Sequence, residues 1–208
     1  QVYHTGELGV QDEERSKEWY ARAYDLLLEQ IFESDDAEAM NVLAWSYIDA
    51  EGVDRDYSQA FYYAKRSAGL NYAPAMNTMY ICYDDGYGVP VDKDEAMRWL
   101  QMAADLDQRS AQNNMARKLR STDLEKSQWY QIKAGQGGNA AAQSDIADGY
   151  KMETYGFAKD ERLAEKWYHT AIDSGSLDAM FTYAWLLETK DNATDADKEL
   201  ANNYYKRA

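Results

Sequence analysis

The chain has 208 residues, of which 45% are apolar and only two are proline, enough apolar material to build a sizeable core from long helices, which speaks against a disordered chain. Its 37 acidic residues against 22 basic ones give a formal charge of -15, the wrong sign for binding nucleic-acid phosphates or anionic membrane surfaces. No apolar run approaches the ~20 residues that cross a bilayer, and a single cysteine, Cys82, excludes an internal disulfide and a thiolate zinc cluster. A chain that opens on Gln rather than Met does not show its true start, so the lack of a visible signal peptide says nothing about compartment.

In chain order, Gly9, Val10, Asp12, Trp19, Tyr20 and Ala23 carry the second half of a unit that recurs in full downstream. The stretch DLLLEQIFESDD, between Tyr24 and Asp36, then lengthens a helix or its connection. The next two units are related by a shift of 36 residues, which places Ala39, Met40, Asn41 and Tyr47 on Ala75, Met76, Asn77 and Tyr83. The same shift carries Gly52, Val53, Asp56, Ala60, Tyr63 and Ala68 onto Gly88, Val89, Asp92, Ala96, Trp99 and Ala104. Ala111, Met115, Leu119, Trp129 and Tyr130 form a degenerate unit whose shorter loop, Ser121 to Glu125, has no glycine. Ala142, Ile146, Tyr150, Gly156, Asp160, Ala164, Trp167, Tyr168 and Ala171 make a clear further copy. Ala179, Tyr183, Leu187, Asp197, Ala201, Tyr204, Tyr205 and Ala208 make a last one.

Identity at one fixed period marks a repeat array in which each unit buries its apolar face against its neighbours. The expected fold is all-α, an α/α right-handed solenoid of antiparallel helix pairs with a period of ~36 residues. One array over 1–208 is expected, with units at 1–36 (partial, with an extended helix), 37–72, 73–108, 109–138 (degenerate), 139–175 and 176–208. The ends cut through units, which fits either a piece of a longer array or half-units acting as caps. In each first helix, Ala, Leu/Met/Ile and Tyr at offsets 0, +4 and +8 share one face. A glycine turn follows, and an Asp then caps the second helix; Asp56 with Gln59 and Asp92 with Glu95 have capping-box spacing.

The copies AMNTMYICYDDGYGVPVDKDEAMRWLQMAADL and AAQSDIADGYKMETYGFAKDERLAEKWYHTAIDSG follow A-x-x-x-L-x-x-x-Y-x-x-G-x-G-V-x-x-D-x-x-x-A-x-x-W-Y-x-x-A-A. This pattern resembles the Sel1-like repeat family, relatives of the tetratricopeptide repeats, over nearly the whole chain. The resemblance implies that the first helices line a concave inner surface. It also implies an adaptor or scaffold role, in bacterial envelope or signalling assemblies or in endoplasmic-reticulum quality control, which leaves the bacterial periplasm or export slightly favoured over the endoplasmic-reticulum lumen or the cytoplasm.

Residues with chemical potential have plainer readings. Asp84, Asp85, Asp92, Asp94 and Glu95 surround a glycine loop, but Asp92, Gly86 and Gly88 fall where Asp56, Asp160, Gly52 and Gly156 recur, as a helix cap and turn glycines rather than a cation site. Gly135, Gly137 and Gly138 sit at a unit junction, where helix ends need glycine. Two histidines, His4 and His169, do not supply a zinc pair, and Cys82 lies beside a packing face as a small hydrophobe. Asn192-Ala193-Thr194 fits a glycosylation acceptor only in a secreted eukaryotic chain. No metal, cofactor or catalytic residue is assigned.

The candidate binding residues are those that break the repeat's rules. At about 100° per residue, offset +6 points away from the core stripe, with +2 and +3 beside it. Trp45, Ile81 and Trp185 occupy offset +6, where Arg117 and Asp148 stand in the other units, so the fold does not demand apolar bulk there. They are expected to anchor a protein partner. The plainer reading packs them against a neighbouring helix or the extra segment at Tyr24 to Asp36. Asn41, Asn77 and Asn113 share offset +2, a row of amides able to clamp the backbone of an extended peptide. The expected function is non-catalytic binding of another protein or peptide, a basic one by charge. An immunity protein against a secreted bacterial effector is the second reading, and a carboxylate-based hydrolase the third.

Overall fold

In this computed structural model the backbone is described from Glu13 and the side chains from Trp19 to Ala208. The expectations for His4, Gly9, Val10 and Asp12 lie outside these residues. The described residues are helical, with no strand, in two compact units. The first unit, which ends at Gln108, holds α1 (Glu13–Ser34), α2 (Ala37–Asp49), α3 (Tyr57–Gly69), α4 (Ala73–Asp85) and α5 (Lys93–Asp105). The second, Arg109–Ala208, holds α6 (Arg109–Leu119), α7 (Leu124–Gln136), α8 (Ala140–Met152), α9 (Glu161–Asp173), α10 (Leu177–Thr189) and α11 (Asp195–Arg207). First helices begin at Ala37, Ala73, Arg109, Ala140 and Leu177, steps of 36, 36, 31 and 37 residues, so the short step coincides with the loop that lacks glycine.

Within each unit consecutive helices pack as pairs, and α2 also meets α4 as α8 meets α10. That second neighbour widens the buried stripe. Besides offsets 0 and +4, the residues at +1 and +5 are buried, including Met40, Met76, Ala44, Tyr80 and Ala116. Wholly buried Leu43, Met79, Leu100 and Ile146 each contribute about 1.5–3 kcal/mol relative to exposure. In the second helices the alanines Ala60, Ala96, Ala164 and Ala201 let neighbouring backbones approach. Of the aromatic pair, the second member enters the core in two units (Tyr130, Tyr168) while the first stays at its edge or outside (Trp129, Trp167); in the last unit the order reverses, with Tyr204 buried and Tyr205 at the edge. The extra segment belongs to α1, whose Leu27, Leu28 and Ile31 pack with Met40 and Leu43.

The aspartate caps form as expected. Asp56 accepts from Ser58 and Gln59 N–H, Asp92 from Asp94 and Glu95, Asp160 from Leu163, and Asp123 caps the degenerate unit through Lys126. The reciprocal half of the expected capping boxes does not form. The N–H groups of Asp56, Asp92 and Asp160 instead donate to the carbonyls of Tyr47, Tyr83 and Tyr150, closing the loop onto the preceding helix, while Glu95 turns to Arg98. Gly135 is also not a turn residue: it lies inside α7, where a Cβ would stand 2.6 Å from Ile146 Cδ1.

A complete capping box occurs at α11, where Thr194 and Asp197 exchange bonds and Lys190 Nζ lies 2.7 Å from Asp197 Oδ1. Hydrogen bonds from Lys190 and Thr194 hold the Asp197 carboxyl down at about 2. A lowered carboxyl pKa contributes stability above the unfolded value, about 4, and loses it as pH falls through the folded one. The first turn of α11 is therefore expected to fray between about pH 4 and 2. Amide chemical shifts of residues 195–198 check this; identical titrations in wild type and Asp197→Asn would overturn it.

Candidate functional site

Trp45 on α2 and Ile81 on α4 are half-buried and lie on two helices that pack together in the first unit; Trp185, on α10 of the second, is 51% exposed. The three asparagines are buried, at 9%, 7% and 6% exposure for Asn41, Asn77 and Asn113. The seam between repeats explains why. Thr78 Oγ1, on the next first helix, donates to Asn41 Oδ1 at 2.8 Å, and at the same offset Ser144 Oγ lies 2.8 Å from Ser176 Oγ, the cap of α10. Offset +2 thus faces the following repeat. In Asn113 the oxygen is held from behind by Gln131 Nε2 at 3.0 Å. Phe181, at offset +2 of the last repeat, is 60% exposed, with its ring edge-on to Tyr205. A bulky aromatic where other copies carry Asn or Ser was the signal that could have singled it out.

The first helices of the second unit enclose a polar groove of about 480 Å³. Asn113 and Arg117 of α6 and Arg120 just beyond it line one side, and Asp145 and Asp148 of α8 with Asp178 and Phe181 of α10 line the other. Arg120 bonds Asp145 Oδ2 at 2.5 Å and lies over the Tyr155 ring, 3.9 Å from its centroid. Tyr168, buried under the groove on α9, donates its hydroxyl to Asp148 Oδ1. Burial pushes the Asp148 carboxyl up, and the charges of Asp145 and Asp178 add to this against the Tyr168 bond. Burial and the Asp148 carboxylate push the Tyr168 phenol up in turn. Arg117 and Asp178 are exposed, with no hydrogen bond or ion pair among the described residues. Arg117 and Asp148 are legible in the sequence as charged exceptions at offset +6. Their meeting with Asp145 and Asp178 in one groove is not, because it depends on which first helices are neighbours.

The remaining singled-out residues have structural roles. Cys82 is wholly buried, and desolvation pushes its thiol up to about 12, so it is not a reactive thiolate. His169 is exposed and meets the Tyr183 ring edge-on, with centroids 5.0 Å apart. Thr194, of the glycosylation-like triplet, caps α11. Among the described residues no group of three or more His, Cys, Asp or Glu is placed to hold a metal ion, and no helix is long and apolar enough to cross a membrane.

The family model described as Sel1 repeat matches residues 1–26, 37–72, 78–108, 140–176 and 177–208. It skips the whole of the degenerate unit. No curated protein matches the chain. Among solved structures, a Sel1 repeat protein from Oxalobacter formigenes shares the fold with a TM-score of 0.73 at 23% identity, over 92% of this chain and 82% of that one. Two Pseudomonas aeruginosa proteins, PA5086 and the immunity protein Pa5087, each reach a TM-score of 0.68, at 18% and 17% identity, over 93% of this chain and 80% of theirs.

Proposed function

Because the chain belongs to the Sel1 repeat family, we propose that it is a non-catalytic adaptor that binds another protein through the exposed face of its first helices. Trp45, Ile81 and Trp185 are its apolar anchors. The observation that carries this reading is Trp185, half-exposed at an offset where Arg117 and Asp148 serve the fold equally well. Large aromatics held in the open at a position the core does not need are typical binding anchors. Asn41, Asn77 and Asn113 contribute from the floor of the face. In Asn41 and Asn113 the oxygen is engaged internally, which leaves the amide NH2 for a partner's backbone carbonyl. Asp145 and Asp148, the nearest thing to a catalytic carboxyl pair, are held by Arg120 and Tyr168, an arrangement that favours binding over hydrolysis.

The charge of -15 favours a basic partner, whose association would slow as salt rises. That same charge supports a second reading, an immunity protein that occludes a basic effector. The immunity protein Pa5087 has this fold, but at 17% identity the likeness carries the fold alone.

Capture from the source organism's lysate by wild type and by Trp45→Ala/Trp185→Ala, with both shown folded by circular dichroism, tests the reading. The partner is expected to bind the double variant at least about tenfold more weakly. Equal capture would remove the binding face from these tryptophans. A basic secreted toxin as the captured protein would select the immunity reading.

A further inference from the structure

Resting on the adaptor reading above, we propose that the groove of the second unit is a subsite for an extended peptide segment of the partner, seating a Lys or Arg side chain against Asp148 and Asp178 while the Asn113 amide donates to the segment's backbone.

The first argument is charge. Arg120 and Asp145 neutralise each other. Asp148 has only a neutral partner, the Tyr168 hydroxyl, and Asp178 has none among the described residues. A partly buried carboxylate beside two others is held at a cost, which a cation from outside offsets. Arg117, on the α6 side, polarises the groove and directs a basic side chain toward α8 and α10.

The second argument is independent of charge. Asn113 is more than nine-tenths buried and lines the groove; its oxygen is engaged by Gln131, and its NH2 has no partner among the described residues. The NH2 is not among the buried atoms left without a partner, so it opens into the groove as a donor held in place by the buried side chain. A peptide carbonyl lying along the groove supplies its acceptor.

Size and shape agree. About 480 Å³ takes a long basic side chain with its flanking backbone, and the exposed Phe181 ring at the rim offers an apolar face to the aliphatic stem and a cation–π surface to the head group. Phosphate ligands are disfavoured by the three carboxylates. The equivalent offset carries Trp45 and Ile81 in the first unit but Arg117, Asp148 and Trp185 in the second, so the second unit adds an ionic seat beside its apolar anchor.

The test uses the full chain, isotope-labelled, titrated at low salt with Ac-Gly-Gly-Arg-Gly-Gly-NH2 and with the same peptide carrying citrulline, which keeps the shape and removes the charge. Saturable amide shifts at Asp148, Asp178 and Phe181 are expected, with the citrulline peptide at least about tenfold weaker. Asp148→Asn/Asp178→Asn is expected to abolish the response. The carboxamide that replaces the Asp148 carboxylate keeps an oxygen for the Tyr168 hydroxyl, so an unchanged melting curve and spectrum separate lost binding from lost fold. Equal binding of the two peptides, or an unaffected double variant, overturns the ionic seat. Free L-arginine binding as tightly as the peptide overturns the backbone contact at Asn113. A silent groove combined with lost capture by the tryptophan variant would sink this subsite and leave the adaptor reading standing.

Discussion

Gly88→Ala is expected to destabilise the first unit by about 2–4 kcal/mol, combining a left-handed backbone penalty with a clash that cannot relax locally. Gly88 has φ +71°, and a Cβ there would lie 2.1 Å from the Tyr57 carbonyl oxygen and 2.9 Å from Phe61 Cβ. The obstacle is backbone at the start of α3, so relief requires moving the helix or the α4–α5 loop, and the loop is itself tied by Tyr87 stacked on Tyr57 at 4.4 Å. Gly69→Ala is the matched control. Gly69 ends α3 with nothing within 4 Å of its Cβ position, so alanine there is expected to be neutral or to stabilise by up to about 1 kcal/mol. Urea unfolding of both variants reads the contrast, and a Gly88→Ala protein within about 0.5 kcal/mol of wild type, the spread of ordinary surface substitutions, would refute the close-approach account.

Leu100→Ala should cost about 2–5 kcal/mol, the range for emptying a fully packed leucine site. Leu100 is wholly buried on α5, and its counterparts one repeat away and further along are Ala64, Tyr130 and Tyr168, all buried. Comparing repeats alone would predict no effect, since alanine already serves at Ala64. Packing predicts otherwise, because each repeat's neighbours are shaped around its own side chain and close only partly over a void. The converse change, Ala64→Leu, is expected to overpack its site by about 1–3 kcal/mol. Denaturant midpoints measure both. A Leu100→Ala loss under about 1 kcal/mol would mean that the surrounding helices collapse freely, unlike a close-packed interior.

The helix pairs were legible because two periodicities reinforce each other: apolar residues at helical spacing inside a repeat, and the same residues again one repeat later. Asp56, Asp92 and Asp160 could be assigned as caps from spacing because capping is a contact within three residues. Their backbone N–H groups could not, since the acceptors Tyr47, Tyr83 and Tyr150 belong to the preceding helix and are chosen by how the loop folds back. Asn41 and Asn113 show the same divide. A single helix seen end-on puts offset +2 outside, and only the next repeat, seated on that flank, turns it into a seam with Thr78 as a hydrogen-bonding partner.

By itself the amino-acid order determined the helices, their caps, the register of the repeat and the exceptional residues at offset +6, all consequences of contacts within a turn or of repetition. Only the tertiary structure decided which of those exceptions lie together. Trp45 and Ile81 lie on neighbouring helices because α2 packs on α4, and Asp148, Asp178 and the Asn113 amide share one groove because residues of α6, α8 and α10 line it together. Side chains a whole repeat apart meet through the packing of helices, and one-dimensional periodicity carries no distance between them.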